Sequence, residues 1–131
     1  MLAHKSVHEF LVRLTAIRRS RMLGGMYTFV ETKLFTAQAQ YLLPEDERSD
    51  FFAWLSANPQ AGDVVPGTGG LRKVRWSRPG MGKRGGVRVI HFNRLENGVI
   101  HLLVIYAKSV RGNIPASTLK AIKQELENDG A

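Results

Sequence analysis

Basic side chains are concentrated in one stretch of this chain, and their types suit the binding of phosphate groups. Between residues 64 and 95 the sequence has eight Lys or Arg residues and no Asp or Glu. Arginine binds two phosphate oxygens at once through its planar guanidinium, and lysine contributes a compact positive charge. Eight glycines lie between residues 62 and 86, which lets the backbone come close to a ligand. The stretch therefore predicts a surface that binds a phosphate backbone.

The distribution of charge over the rest of the chain narrows this interpretation. The formal net charge is +8, yet residues 26–63 and 96–131 together carry six basic and ten acidic side chains. A basic patch on an otherwise acidic body favours a defined anionic partner, most often a nucleic acid. A basic face that is simply solvated is the alternative interpretation.

Length and composition exclude several classes of protein. The 131 residues are enough for one domain with a core, and the 44% hydrophobic and 23% charged residues are typical of a globular protein. The absence of cysteine excludes disulfides and thiolate metal sites. No apolar run reaches the ~18–20 residues that cross a bilayer.

The predicted elements follow the order β-α-α-β-β-β-α, which is an α+β domain with a mainly antiparallel, four-stranded sheet and a C-terminal helix. The predicted strands cover residues 27–31, 71–77, 87–92 and 99–106, and the helices cover 33–43, 44–57 and a segment from Pro115 or Ala116 onward. Residues 62–70 are predicted to form a loop. Asn97-Gly98 is a strong signal for a hairpin between the last two strands.

Alternation within the second predicted strand decides which of its side chains share a face. Lys73 and Arg75 lie on one face, whereas Val74 and Trp76 lie on the other. The apolar pair should pack on the helices, so the basic pair should face the open side of the sheet. The other basic residues of interest are Arg72 in the same strand, Arg88 in the next, Lys108 after the last, and Arg78, Lys83 and Arg84 in a predicted loop over residues 78–86.

Residues 1–25 form a predicted basic extension, separate from a domain at residues 26–131. Apolar residues from Val7 to Ile17 follow helical spacing, and Gly24-Gly25 would end the helix. The extension is interpreted as a membrane-surface helix, a transit-like segment or an arm that grips RNA. A non-native extension ahead of a start at Met26 is the further alternative.

Three segments carry a family resemblance: GDVVPGTGGLRKVRW at residues 62–76, GKRGGVRVI at 82–90 and LLVIYAKS at 102–109. Together they resemble the RelE/HigB superfamily, the toxins of type II toxin–antitoxin systems, and they are most similar to its HigB-like branch. The resemblance covers about residues 26–128. It implies a small antiparallel sheet with two helices on one face, in agreement with the predicted order of elements.

The resemblance also implies an activity and partners. Members of the superfamily are metal-independent endoribonucleases that need no cofactor and cut mRNA in the ribosomal A site, in the cytoplasm. Each is neutralised by a cognate antitoxin encoded in the same operon, which in this branch is usually a helix-turn-helix protein of the HigA type.

Matching the motifs residue by residue implies roles for individual side chains. Lys73 and Arg75 correspond to the paired basic positions that face the active site, and Arg88 corresponds to the arginine that binds the scissile phosphate. Lys108 matches a basic position after the last strand. Some members carry a tyrosine in the C-terminal segment that this chain lacks, and Tyr106 is the nearby candidate. The residues expected to bind RNA outside the reaction centre are Arg72, Arg78, Lys83 and Arg84.

The reaction that the resemblance implies is attack of an RNA 2′-hydroxyl on the adjacent phosphorus. It requires stabilisation of negative charge, one proton acceptor and one proton donor. Arginine suits the first task, which we assign to Arg75 and Arg88. The proton acceptor stays open among Lys73, Lys83, Lys108, Tyr106 and His91, although His91 and His101 are interpreted as structural histidines.

Two non-enzymatic interpretations stay open beside the endoribonuclease. One is a non-catalytic module that binds RNA or the ribosome through the same basic patch. The other is a domain whose cationic face receives an acidic segment of a protein partner. Cleaved RNA ends distinguish the enzyme from both.

Overall fold

The structure is a computed structural model that describes residues 18–23, 27–77, 86–107 and 114–128. In chain order its elements are β1 (Arg18–Leu23), β2 (Tyr27–Thr32), α1 (Lys33–Leu42), α2 (Glu45–Ala57), β3 (Asp63–Val64), β4 (Arg72–Trp76), β5 (Val87–Arg94), a 3₁₀ turn (Leu95–Asn97), β6 (Val99–Ala107) and α3 (Ala116–Asn128). The strands form one sheet in the order β1-β2-β6-β5-β4-β3. Only β2 and β6 are parallel neighbours, and the other adjacent pairs are antiparallel. The predicted α+β class and mainly antiparallel sheet are confirmed.

The sheet has two more strands than the sequence predicted. β3 is a two-residue strand within the predicted loop, and it pairs with β4. β1 pairs antiparallel with β2, so the prediction of a helix that runs to Gly24-Gly25 is wrong for Arg18–Leu23. Without β1, β2 would be the edge strand, and an edge strand leaves a row of backbone donors and acceptors unpaired. The pairing with β1 satisfies this row of β2. The sheet therefore begins before residue 26, and the predicted helix over residues 7–17 lies outside the described residues.

Each face of the sheet has its own hydrophobic core. Helices α1 and α2 pack on one face around Val74, Val89 and Leu102, whereas α3 packs on the opposite face around Leu71 and Ile90. The predicted placement of two helices on one face is confirmed. Alternation along β4 explains the division, because successive side chains of a strand point to opposite faces.

An aromatic cluster holds α2 against the sheet. The ring of Phe52 stacks on Phe29 of β2 at 4.7 Å between centroids, and Phe35 of α1 lies 6.5 Å away. Phe51 contacts Trp76 edge-on at 5.3 Å. The prediction that Val74 and Trp76 pack on the helices is therefore confirmed.

A β-bulge in β6 changes which of its side chains share a face. Ile90 of β5 is opposite Val104, whereas the next residue, His91, is opposite Leu102. Leu103 is thus an additional residue in β6, and a bulge of this kind shifts the alternation that follows it. Ile105 consequently joins the core under α1 and α2, and Tyr106 joins the α3 side.

The GTGG motif forms the turn between β3 and β4. Thr68 is buried, and its hydroxyl donates to the carbonyl of Val65 at 2.6 Å and accepts from the amide of Leu71 at 3.3 Å. Gly69 lies close to α3, because a Cβ at this position would be 3.5 Å from the Lys123 ammonium. The motif therefore shapes the hairpin that carries β4, a structural role.

Gly62 is the glycine whose replacement should disturb this hairpin most. Its φ is +91°, and a Cβ there would lie 2.5 Å from the carbonyl oxygen of Lys73. We expect Gly62→Ala to lower the free energy of unfolding by roughly 1–3 kcal/mol from the unfavourable φ, and further through the clash. Urea unfolding followed by circular dichroism measures the change.

Gly67→Ala is the matched control. Gly67 has a similar φ of +77°, but no heavy atom lies within 4 Å of the Cβ position. It should therefore show the cost of the conformation without the clash. Equal losses for the two variants would mean that close approach to Lys73 contributes nothing.

Candidate functional site

A pocket of about 440 Å³ opens on the α3 side of the sheet, beside the part that α3 covers. Its lining consists of Gly62, Asp63, Lys73, Val74, Arg75, Arg88 and Tyr106. Four residues that the sequence predicted for the reaction centre therefore share one pocket, although they come from three strands. The structure places three cations, one phenol and one carboxylate in this small volume.

The sheet register aligns the central members of the pocket in one row. Arg75 of β4 is directly opposite Arg88 of β5, and Arg88 is directly opposite Tyr106 of β6. Directly opposite residues in antiparallel strands have Cβ atoms about 4.5–5.5 Å apart, and like charges at this distance destabilise a sheet. An anion held between the two guanidinium groups would offset this repulsion. The row is consequently suited to a phosphate group.

The β3–β4 hairpin adds a carboxylate that the sequence analysis missed. Asp63 pairs with Lys73 across the two strands, and both line the pocket. Asp63 precedes β4 by several residues in a segment predicted to be a loop, and a two-residue strand has no detectable alternation. The sequence signal that could have found Asp63 is its position next to Gly62, at the start of the family-like segment of residues 62–76.

Arg72 has a structural position outside the pocket. Its guanidinium Nη1 donates to the carbonyl oxygens of Gln60 at 2.9 Å and Gly62 at 3.1 Å. These bonds fix the backbone that leads into β3 and so support one wall of the pocket. Alternation turns Arg72 toward the helix side, away from the face that carries Lys73 and Arg75. The other predicted site residues, Arg78, Lys83, Arg84 and Lys108, lie outside the described residues.

His91 is a buried, hydrogen-bonded histidine, as the sequence predicted. Its Nε2 lies 3.1 Å from the carbonyl oxygen of Ala61, and its Nδ1 lies 2.9 Å from Oδ1 of Asn93. Burial lowers the pKa of His91 below its usual value of 6.5, although the bonds to Asn93 and Ala61 act in the opposite direction and nearby Arg72 lowers it further. His101 is likewise buried and stacks on Phe92 at 6.0 Å.

The lowered pKa of His91 makes the stability of the fold depend on pH. The unfolded chain binds a proton at His91 more readily than the folded chain does, so the free energy of unfolding should fall as the pH drops below 6.5. Urea unfolding at about pH 7.5 and about pH 5 measures the difference. His91→Gln should reduce that difference, and an unchanged difference in the variant would show that His91 is not its source.

Metal ligands do not cluster in the described ranges, where no three His, Asp or Glu side chains could together hold a metal ion. Within those same ranges no helix has both the length and the apolar character needed to cross a bilayer. Comparison of the chain with known protein-family models found no match.

Proposed function

We propose that this protein is the toxin component of a type II toxin–antitoxin system and acts as an endoribonuclease on ribosome-bound mRNA. The observation that carries the proposal is the row of Arg75, Arg88 and Tyr106 across three strands in one pocket. The row combines two phosphate-binding side chains with a group that can exchange a proton. The three sequence segments that resemble RelE/HigB toxins support the same function.

Arg75 and Arg88 stabilise the charge that develops on the phosphate. In the proposed reaction the 2′-oxygen of RNA bonds to the adjacent phosphorus, and the bond from phosphorus to the 5′-oxygen breaks. The products are a 2′,3′-cyclic phosphate and a 5′-hydroxyl. Guanidinium groups on opposite strands can each contact non-bridging oxygens, whose negative charge increases in the transition state.

Proton transfer falls to the remaining groups of the pocket. Arginine stays protonated, which leaves Asp63 and Lys73 as acceptors for the 2′-hydroxyl proton and Tyr106 as a donor to the leaving 5′-oxygen. General acid–base groups contribute on the order of 10²–10⁴ to such reactions. Alignment of the RNA by the ribosome would supply a further large part of the rate.

The proposed partners follow from the charge of the pocket and from the resemblance. In the cytoplasm the toxin would bind mRNA on the ribosome, and a HigA-like helix-turn-helix antitoxin from the same operon would neutralise it. A non-catalytic module that binds RNA or the ribosome is the second candidate function. The same cationic row favours it, because phosphate binding alone requires only the two arginines.

Mapping of mRNA ends by primer extension tests the proposal. Expression of the protein should arrest growth and produce new 5′ ends within translated messages, and the neighbouring gene should restore growth. Salt-dependent binding of RNA without new ends would support the non-catalytic module instead. Cleavage of naked RNA at the same rate as ribosome-bound mRNA would contradict dependence on the ribosome.

A further inference from the structure

Thr32 makes two buried hydrogen bonds at the junction of β2 and α1. Its side-chain oxygen accepts from the backbone amide of Phe35 at 2.9 Å, which caps the N-terminus of α1. The same hydroxyl donates to the carbonyl oxygen of Leu103 at 2.6 Å, across 71 residues of chain. Thr32 is only 1% exposed, so neither bond competes with bulk water.

The acceptor of the second bond belongs to the additional residue of the β6 bulge. Leu103 has no partner in the β5–β6 ladder, in which Val104 and Leu102 are opposite consecutive residues of β5. A bulge disrupts the local ladder, and a buried backbone carbonyl without a donor is costly. The Thr32 hydroxyl satisfies this carbonyl and thereby favours the bulged register.

The bulged register decides where Tyr106 points. Ile100 and Leu102 face α1 and α2, and strict alternation would place Val104 and Tyr106 on that face too. The additional residue reverses the parity, so that Ile105 faces the helices instead. Tyr106 then stands opposite Arg88 and lines the pocket.

We infer that Thr32 is a positioning residue for the reaction, because its hydroxyl stabilises the β6 bulge that turns Tyr106 into the cationic pocket. Thr32 does not line the pocket itself. A hydroxyl is suited to the task since a single oxygen accepts one hydrogen bond and donates another. The inference rests on the proposed function only in assigning Tyr106 a part in the reaction.

The position of the ring can be tested without cleavage. An RNA oligonucleotide with 2′-O-methyl groups cannot be cut, and its binding should shift the NMR signals of the Tyr106 ring. These signals are assigned by comparison with the Tyr106→Phe variant. The shift should persist in Thr32→Ser, which keeps the hydroxyl, and vanish in Thr32→Val, which keeps the shape. An undiminished shift in folded Thr32→Val would overturn the inference.

A measurement on the unaltered protein covers the case in which Thr32→Val does not fold. The Tyr106 ring should show a nuclear Overhauser contact with the Arg88 side chain, and the Thr32 hydroxyl proton should exchange slowly with solvent. A ring that contacts α1 instead, or a hydroxyl proton that exchanges at the rate of exposed threonines, would equally overturn the inference.

Cleavage of ribosome-bound mRNA completes the test. Thr32→Val should reduce cleavage tenfold or more, as expected for partial loss of a general acid, while RNA binding and Thr32→Ser cleavage stay near wild type. In a Tyr106→Phe background, Thr32→Val should cause no further loss, and an additional tenfold loss there would contradict a role through Tyr106. If Tyr106→Phe cleaves normally while the ring signal still follows Thr32, the positioning stands and the proposed role of Tyr106 fails.

Discussion

Replacing Arg75 and Arg88 together with alanine should reduce cleavage of ribosome-bound mRNA by roughly 10³-fold or more, since loss of a single charge-stabilising donor costs about 10²–10³. The two side chains are directly opposite each other in the pocket and would both contact the scissile phosphate. The variant should stay folded, because its removal of two like charges at opposed positions relieves repulsion. Primer extension and a quantitative in vitro cleavage assay measure the loss.

The matched control removes the same charge from elsewhere on the surface. Lys33 of α1 and Lys120 of α3 are exposed and do not line the pocket. A Lys33→Ala, Lys120→Ala variant should therefore cleave at close to the wild-type rate. Near wild-type cleavage by the arginine variant would exclude this pocket as the reaction centre, and equal losses in both variants would indicate an effect of net charge alone.

RNA binding by the same variants separates catalysis from phosphate binding. For single-stranded nucleic acid, each phosphate contact contributes about 0.7 to the slope of log affinity against log salt concentration. Because both arginines are proposed to contact the same phosphate, their loss should reduce the slope by about 0.7. The endoribonuclease and the non-catalytic module share this expectation, so only the cleaved ends distinguish them.

Among the variants proposed for stability, Phe52→Ala should cause the largest loss, lowering the free energy of unfolding by about 3–5 kcal/mol. Its ring is fully buried and stacks on Phe29 at 4.7 Å, between α2 and the sheet. Truncation would remove the apolar contacts and leave a cavity among residues that cannot all move inward. Single domains are typically stable by about 5–15 kcal/mol, so much of the total could be lost. Urea or thermal unfolding gives the value.

Trp54→Ala provides the comparison on the same helix. Trp54 is also aromatic, but the residue is 36% exposed. Its truncation should cost clearly less than that of Phe52, because water already covers part of the ring and no closed cavity forms. Similar losses in the free energy of unfolding for the two variants would show that the complete burial of Phe52 between α2 and the sheet does not raise the cost of truncation.

The sequence alone was sufficient to predict that Lys73 and Arg75 share a face, and the structure places both in the lining of one pocket. Side chains alternate along a strand whatever its neighbours are, so β4 had to place Lys73 and Arg75 opposite to Val74 and Trp76 once its core face was known. Apart from β1 and β3, the order of helices and strands could also be predicted, because periodicity and turn residues are local properties. The interpretation of His91 as a buried histidine depended on the same alternation.

Only the tertiary structure decided which other groups meet these cations. Tyr106 reaches the pocket through the bulge at Leu103, which is stabilised by Thr32 from 71 residues away. Asp63 arrives on a strand too short to predict, and the carbonyl groups that Arg72 binds, those of Gln60 and Gly62, come from the segment that leads into this strand. Local patterns determine which face a side chain takes within one regular strand. Bulges, strand register and edge pairing depend on contacts between distant segments, which no local pattern contains.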